Sequence, residues 1–173
     1  MKNLFLSLLL IVILCSCNNN DDALIPVNED QLILFQFEYR NSAWGYQHSG
    51  WFIDNKGNVK EYNLPTEWRW NSDSNFISKD SLAFNYAQAN TLIDNINLQD
   101  LEDKKTLITA TINGILSSKM CPGADMGSFS FYSYYWDASK KMYHKQLLNL
   151  TGDCKQYNTT TEAIELTAWL TKF

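Results

Sequence analysis

The chain has 173 residues, 45% of them hydrophobic and 19% charged, with a formal net charge of −5. That composition excludes general disorder, collagen-like repeats and a multi-span membrane protein, and the length suits one domain behind a short leader. Nucleic acid is excluded as a partner as well, because Arg40 and Arg69 are the two arginines and no basic run neutralises a series of phosphates.

In chain order, Met1-Lys2-Asn3 is a positively charged start, followed by an apolar run from Leu4 to Leu14 interrupted only by Ser7. Such a run is too short for the ~20 apolar residues of a spanning helix and reads as the core of a signal peptide. It ends at Leu14-Cys15-Ser16-Cys17, which resembles the lipobox of bacterial lipoproteins; Cys15 departs from the small residue usual at its place. The resemblance implies cleavage after Ser16 and acylation of Cys17, palmitate being a suitable label, so that the lipid bilayer is a partner. Several buried acyl chains, at about 0.8 kcal/mol per methylene, anchor a protein stably. The tract Asn18-Asn19-Asn20-Asp21-Asp22 is similar to the one that follows the lipidated cysteine in surface lipoproteins of Bacteroidota-type bacteria, and no aspartate directly follows Cys17. The resemblance therefore implies an outer-membrane protein whose domain stands either at the cell surface or on the periplasmic face. The expected organisation is a signal peptide over 1–16, a lipidated flexible tether over 17–29 and a single domain over 30–173.

Within that domain, Gln31 to Arg40 alternates as a half-buried strand, with Ile33, Phe35, Phe37 and Tyr39 on one face and Gln36, Glu38 and Arg40 on the other. Trp51-Phe52-Ile53, the turn Asp54-Asn55-Lys56-Gly57 and Asn58 to Tyr62 read as a tight hairpin, with Gly57 or Asn55 at positive φ. Asn63 to Lys79 is polar and irregular, and its Trp68 and Trp70 are expected to be exposed because Glu67, Arg69 and Asn71 interleave them. Leu82, Tyr86, Ala89, Ile93 and Ile96 then recur at helical spacing. For Leu101 to Leu116 a second helix competes with a strand over the β-branched run Thr106 to Ile112, and Gly114 weakens the helix. Ser128 to Trp136 and Met142 to Leu148 predict a β-hairpin turning over Asp137 to Lys141, with Tyr132, Tyr134 and Trp136 on one face. Thr159 with Glu162 gives a capping-box signature for a last helix carrying Ala163, Leu166 and Leu170. The expectation is an α+β fold: two antiparallel hairpins or a small antiparallel sheet with two or three helices.

With Cys15 removed and Cys17 acylated, Cys121 and Cys154 are left as one pair, placed symmetrically about the hairpin turn so that their sulfurs meet near its open end. Such a bridge is worth roughly 3.8 kcal/mol in the chain-entropy model. A zinc or redox role lacks a C-x-x-C and clustered histidines, so no metal and no cofactor are expected.

No catalytic set is legible. His144 reads as a strand residue. His48 lies in the aromatic, glycine-bearing connection Trp44 to Trp51, but no acyl-enzyme motif surrounds Ser49, and Glu38 and Glu61 read as solvent-facing strand residues rather than a working pair. Asn71 to Asn75 imitates the start of a calcium loop, yet Phe76 replaces its glycine and Leu82 its glutamate. Gly123 to Gly127 lacks the lysine of a phosphate loop and reads as a turn beside the disulfide. What remains is a set of amphipathic rings, Trp44, Tyr46, His48, Trp51, Trp68 and Trp70, suited to a glycan or an envelope protein. The expected function is a membrane-anchored binding or accessory lipoprotein; the alternatives are an envelope hydrolase using His48 and an inhibitor or immunity-type protein.

Overall fold

The computed structural model describes residues 31–69 and 75–173. The leader, the tether with Cys17, Trp70 and most of the calcium-like run lie outside the described residues. β1 (Ile33–Asn41), β2 (Gln47–Asp54) and β3 (Asn58–Asn63) form a meander, and β6 (Ser128–Asp137) and β7 (Met142–Gly152) form the predicted hairpin. With the short β4 (Phe76–Ile77), β5 (Thr91–Asn95) and β8 (Gln156–Tyr157) they make one eight-stranded sheet in the order β4-β7-β6-β1-β2-β3-β5, with β8 also on β7. Every strand pairing is antiparallel. The described helices are α1 (Lys79–Ala87), α2 (Leu98–Thr106), α3 (Ile108–Ile112) and α4 (Thr161–Leu170). An antiparallel sheet with helices and one disulfide was expected and is present. The small-sheet α+β expectation is corrected in proportion: β1 pairs with both β2 and β6, fusing the two hairpins, and the fold is mostly β.

Both faces of the sheet are used. On the first face Phe35, Ile53 and Val59 meet Leu101, Ile108 and Leu166 from α2, α3 and α4. Each fully buried aliphatic side chain there is worth roughly 1.5–3 kcal/mol of transfer free energy. On the second face Ile33, Phe52 and Tyr134 meet Ile77 and Leu82, so α1 covers that side. Ile33 was expected to share a face with Phe35; a register irregularity between them sends Ile33 to the second face. Gly57, at φ +82°, makes the β2–β3 turn. The start of β1 lies beside that turn, Ile33 pairing with Asp54, whereas Arg40 at its other end pairs with His48 and Ser128.

Helix ends depart from the sequence reading for local reasons. The stripe from Leu82 to Ile96 is split: α1 stops at Ala87, and Thr91–Asn95 pairs with β3 as an exposed edge strand. Of the 101–116 segment, 101–112 is helical as α2 and α3 with Leu107 between them, and the expected helix stops short of Gly114 and of Leu116, which bridges to Asn158. The cap of α4 is Thr160, whose hydroxyl accepts from the Ala163 N–H, one residue later than the predicted Thr159. Among the described residues, no helix is long and apolar enough to cross a membrane.

Candidate functional site

Cross-strand register gathers polar side chains on the second face. Gln36, Glu38 and Arg40 of β1 lie opposite Phe52, Gly50 and His48 of β2 and opposite Tyr132, Ser130 and Ser128 of β6. Glu38 is 4% exposed, and its Oε1 accepts from Arg40 Nη2 at 2.8 Å and lies 3.1 Å from His48 Nε2. Lys145 Nζ stands 3.6 Å from Oε2 and 3.8 Å from the centre of the Tyr132 ring. Burial by itself raises the Glu38 carboxyl, but Lys145, the His48 hydrogen bond and Arg40 outweigh it and hold the group at about 2. A carboxylate so ionised can only accept, so His48 Nε2 carries the proton. Alongside, the Tyr134 hydroxyl donates to Gln36 Oε1, and Gln36 Nε2 donates to the Tyr62 hydroxyl at 2.9 Å. Burial, with the Glu38 charge next, drives the Tyr62 and Tyr134 hydroxyls well above the usual phenol range.

Trp68 closes one side of this cluster. After β3 the chain reverses at Leu64, which takes φ +47°, and the Leu64 N–H bonds to the His48 carbonyl at 2.8 Å. The Trp68 ring then stacks on Phe52 at 5.9 Å and 10°, and meets His48 edge-on at 4.5 Å. Asn85 of α1 fixes the strap, its amide bonding both the N–H and the carbonyl of Arg69. The expectation of an exposed Trp68 is thereby corrected: it is half-buried, and its cover leaves His48 only 1% exposed.

Beyond the cluster the second face is open. A cleft of about 730 Å³ is floored by Ser128, Ser130 and Tyr132 of β6 together with Arg40, and walled by Ser42, Ala43 and Lys119. The disulfide Cys121–Cys154 braces another wall, where Asp153 accepts from the Met126 and Gly127 N–H groups. This is the turn expected over Gly123 to Gly127.

The ring set singled out from the sequence is therefore divided. Trp44 and Tyr46 are 81% and 59% exposed, on the connection that begins at the cleft wall. His48 and Trp68 belong to the covered cluster, and Trp51 is buried on the first face between Phe37 and Phe173. Glu61 does not meet Glu38: it is exposed and pairs with Trp51, while its neighbour Tyr62 pairs with Gly50. His144 stacks on Phe76 at 4.8 Å; burial and then Lys140 lower its affinity for a proton. Among the described residues no three His, Cys, Asp or Glu side chains gather to hold a metal. Tyr132 was expected on one hairpin face with Tyr134 and Trp136, whereas Ser128, Ser130 and Lys119 escaped the sequence reading. The serine alternation in Ser128-Phe129-Ser130-Phe131 was the available signal, since small polar residues on one face leave room above a sheet. Compared with known proteins, the chain matches no family model, no curated protein and no solved structure.

Proposed function

We propose that the chain is a surface-exposed outer-membrane lipoprotein, held by acyl chains on Cys17, whose domain binds a ligand and performs no hydrolysis. The anchor rests on Leu14-Cys15-Ser16-Cys17 and the tract behind it. The bridge between Cys121 and Cys154 supports an oxidising compartment, where such bonds persist. One observation carries the binding reading. His48 is enclosed, with Nε2 engaged by Glu38, whereas the cleft beside it is open and polar. Acid–base hydrolysis needs an imidazole within about 3 Å of a substrate proton, and an enclosed ring turned toward Glu38 does not offer that. The ligand is a glycan or an envelope protein.

Cells fed radiolabelled palmitate should label the protein but not its Cys17→Ser variant; an unlabelled wild-type chain overturns the anchor. External protease on intact cells should remove the domain; full protection places it facing the periplasm. Incubated with envelope polysaccharides and peptidoglycan, the full chain should retain ligand without releasing fragments. Fragment release that disappears in His48→Asn would establish the hydrolase instead.

A further inference from the structure

The cleft has a specific chemical character. Ser128, Ser130 and Tyr132 follow one another at two-residue intervals on β6 and line its floor, so their side chains rise in a row spaced roughly 7 Å apart. Their hydroxyls form no hydrogen bond to any other described residue, and none of them is among the buried polar atoms left without a partner, so all three are reached from the cleft. Polar groups in a concavity are ordinarily satisfied by protein, water or ligand. Three unclaimed hydroxyls in line are a floor that hydrogen-bonds to something placed on it.

Charge then selects the class of occupant. Arg40 and Lys119 contribute positive groups to the lining, and Glu38, Asp125 and Asp153 negative ones, with Lys145 behind Glu38. Glu38 is compensated by its ion pairs, and Asp153 by two backbone N–H groups. An anionic ligand would be desolvated against Asp125 and a cationic one against Lys119, and either is penalised. A ligand without net charge avoids both penalties and can use every group present. Asp125 accepts, Lys119 and Arg40 donate, and the hydroxyls do either. Trp44 and Tyr46, on the connection that continues from the lining residues Ser42 and Ala43, add flat apolar faces beside the mouth.

We propose that the cleft over Ser128, Ser130 and Tyr132 binds a neutral oligosaccharide, whose hydroxyls pair with this row and whose ring faces lie on Trp44 or Tyr46. The inference rests on the binding reading above and names its ligand class. The full chain in detergent is titrated with maltoheptaose, cellohexaose, xylohexaose and mannohexaose, and with oligogalacturonate and chondroitin sulfate as acidic counterparts, by calorimetry and tryptophan fluorescence.

At least one neutral oligosaccharide should bind at millimolar concentration or below. The double variants Ser128→Ala/Ser130→Ala and Trp44→Ala/Tyr46→Ala should each weaken it by roughly tenfold or more, about 1.4 kcal/mol. The serine hydroxyls hold nothing within the fold and Trp44 and Tyr46 are exposed, so the melting temperature of each variant should stay in place. Binding that survives both variants, preference for the acidic sugars, or no neutral sugar bound overturns the proposal. If sugars fail while an envelope protein is retained, the ligand class falls and the binding reading stands; fragment release dependent on His48 removes both.

Discussion

Arg40, Lys145 and His48 converge on one carboxylate, so replacing Glu38 is a charge problem before it is a packing one. Glu38→Gln keeps the shape but leaves Arg40 and Lys145, 33% and 18% exposed, facing a neutral amide. Urea unfolding at neutral pH should show a loss of about 3 kcal/mol. The pH dependence has a definite sign. The carboxyl falls from 4.5 to about 2 on folding, so the folded chain holds this proton less readily than the unfolded one. Its stabilisation is complete above ~pH 5 and drains away as pH falls from ~4.5 toward ~2. At about 1.4 kcal/mol per tenfold change in proton affinity it amounts to roughly 3 kcal/mol. Glu38→Gln should lack this component of acid sensitivity, as pH-resolved denaturation would reveal. Gly50, between Glu38 and Tyr62, presents a steric case: an added Cβ would stand 2.1 Å from the Phe37 carbonyl oxygen and 2.7 Å from the Tyr62 hydroxyl. The first contact is backbone and cannot swing aside. Gly50→Ala should cost at least ~2 kcal/mol and lower the melting temperature by roughly 5 °C or more, read by circular dichroism.

Among the elements, α4 is the one whose anchoring is simplest to probe. Thr160→Ala removes the hydroxyl that receives the Ala163 N–H at 3.2 Å, and thermal unfolding should register a loss of about 1 kcal/mol. Its neighbour Asn158 also bonds the Thr160 N–H and hydroxyl, so the entry to α4 is held from two sides. Legibility from sequence differs by element for physical reasons. β1, the β2–β3 hairpin and the β6–β7 hairpin were legible because period-two alternation and turn residues are local signals. The helix over 80–96 overran because Ile93 and Ile96 continue its spacing by coincidence, while the pairing of Thr91–Asn95 with Val59 and Lys60 is a distant event. The Glu38 cluster was hidden for the same reason. Gln36, Glu38 and Arg40 occupy the polar half of an alternating strand, which reads as solvent-facing until α1 and Trp68 cover the face. The cleft floor was half legible: the hairpin was expected, but its walls come from segments distant in sequence, Asn41 to Ala43, Lys119 and Asp125.

For the whole molecule, the disulfide holds the periphery rather than the core. It joins Cys121 to Cys154 across a separation of 33 residues, and the Met120 and Lys155 backbones bond each other beside it. Cys121→Ser/Cys154→Ser should lower stability by roughly 2–4 kcal/mol while leaving the sheet intact. Hydrogen exchange should accelerate over 115–127 and remain slow in β1; equal acceleration in both would mean that the bridge supports the core after all. Beyond stability, the course of β1 fixes an orientation. The strand runs from the β2–β3 turn to the cleft, and Ile33 and Arg40 are separated along it by roughly 23 Å. Any attachment through the chain's first residues pulls on one pole of the sheet, and the cleft lies at the opposite end of β1. A molecule tethered in that manner carries its cleft at the end far from the tether.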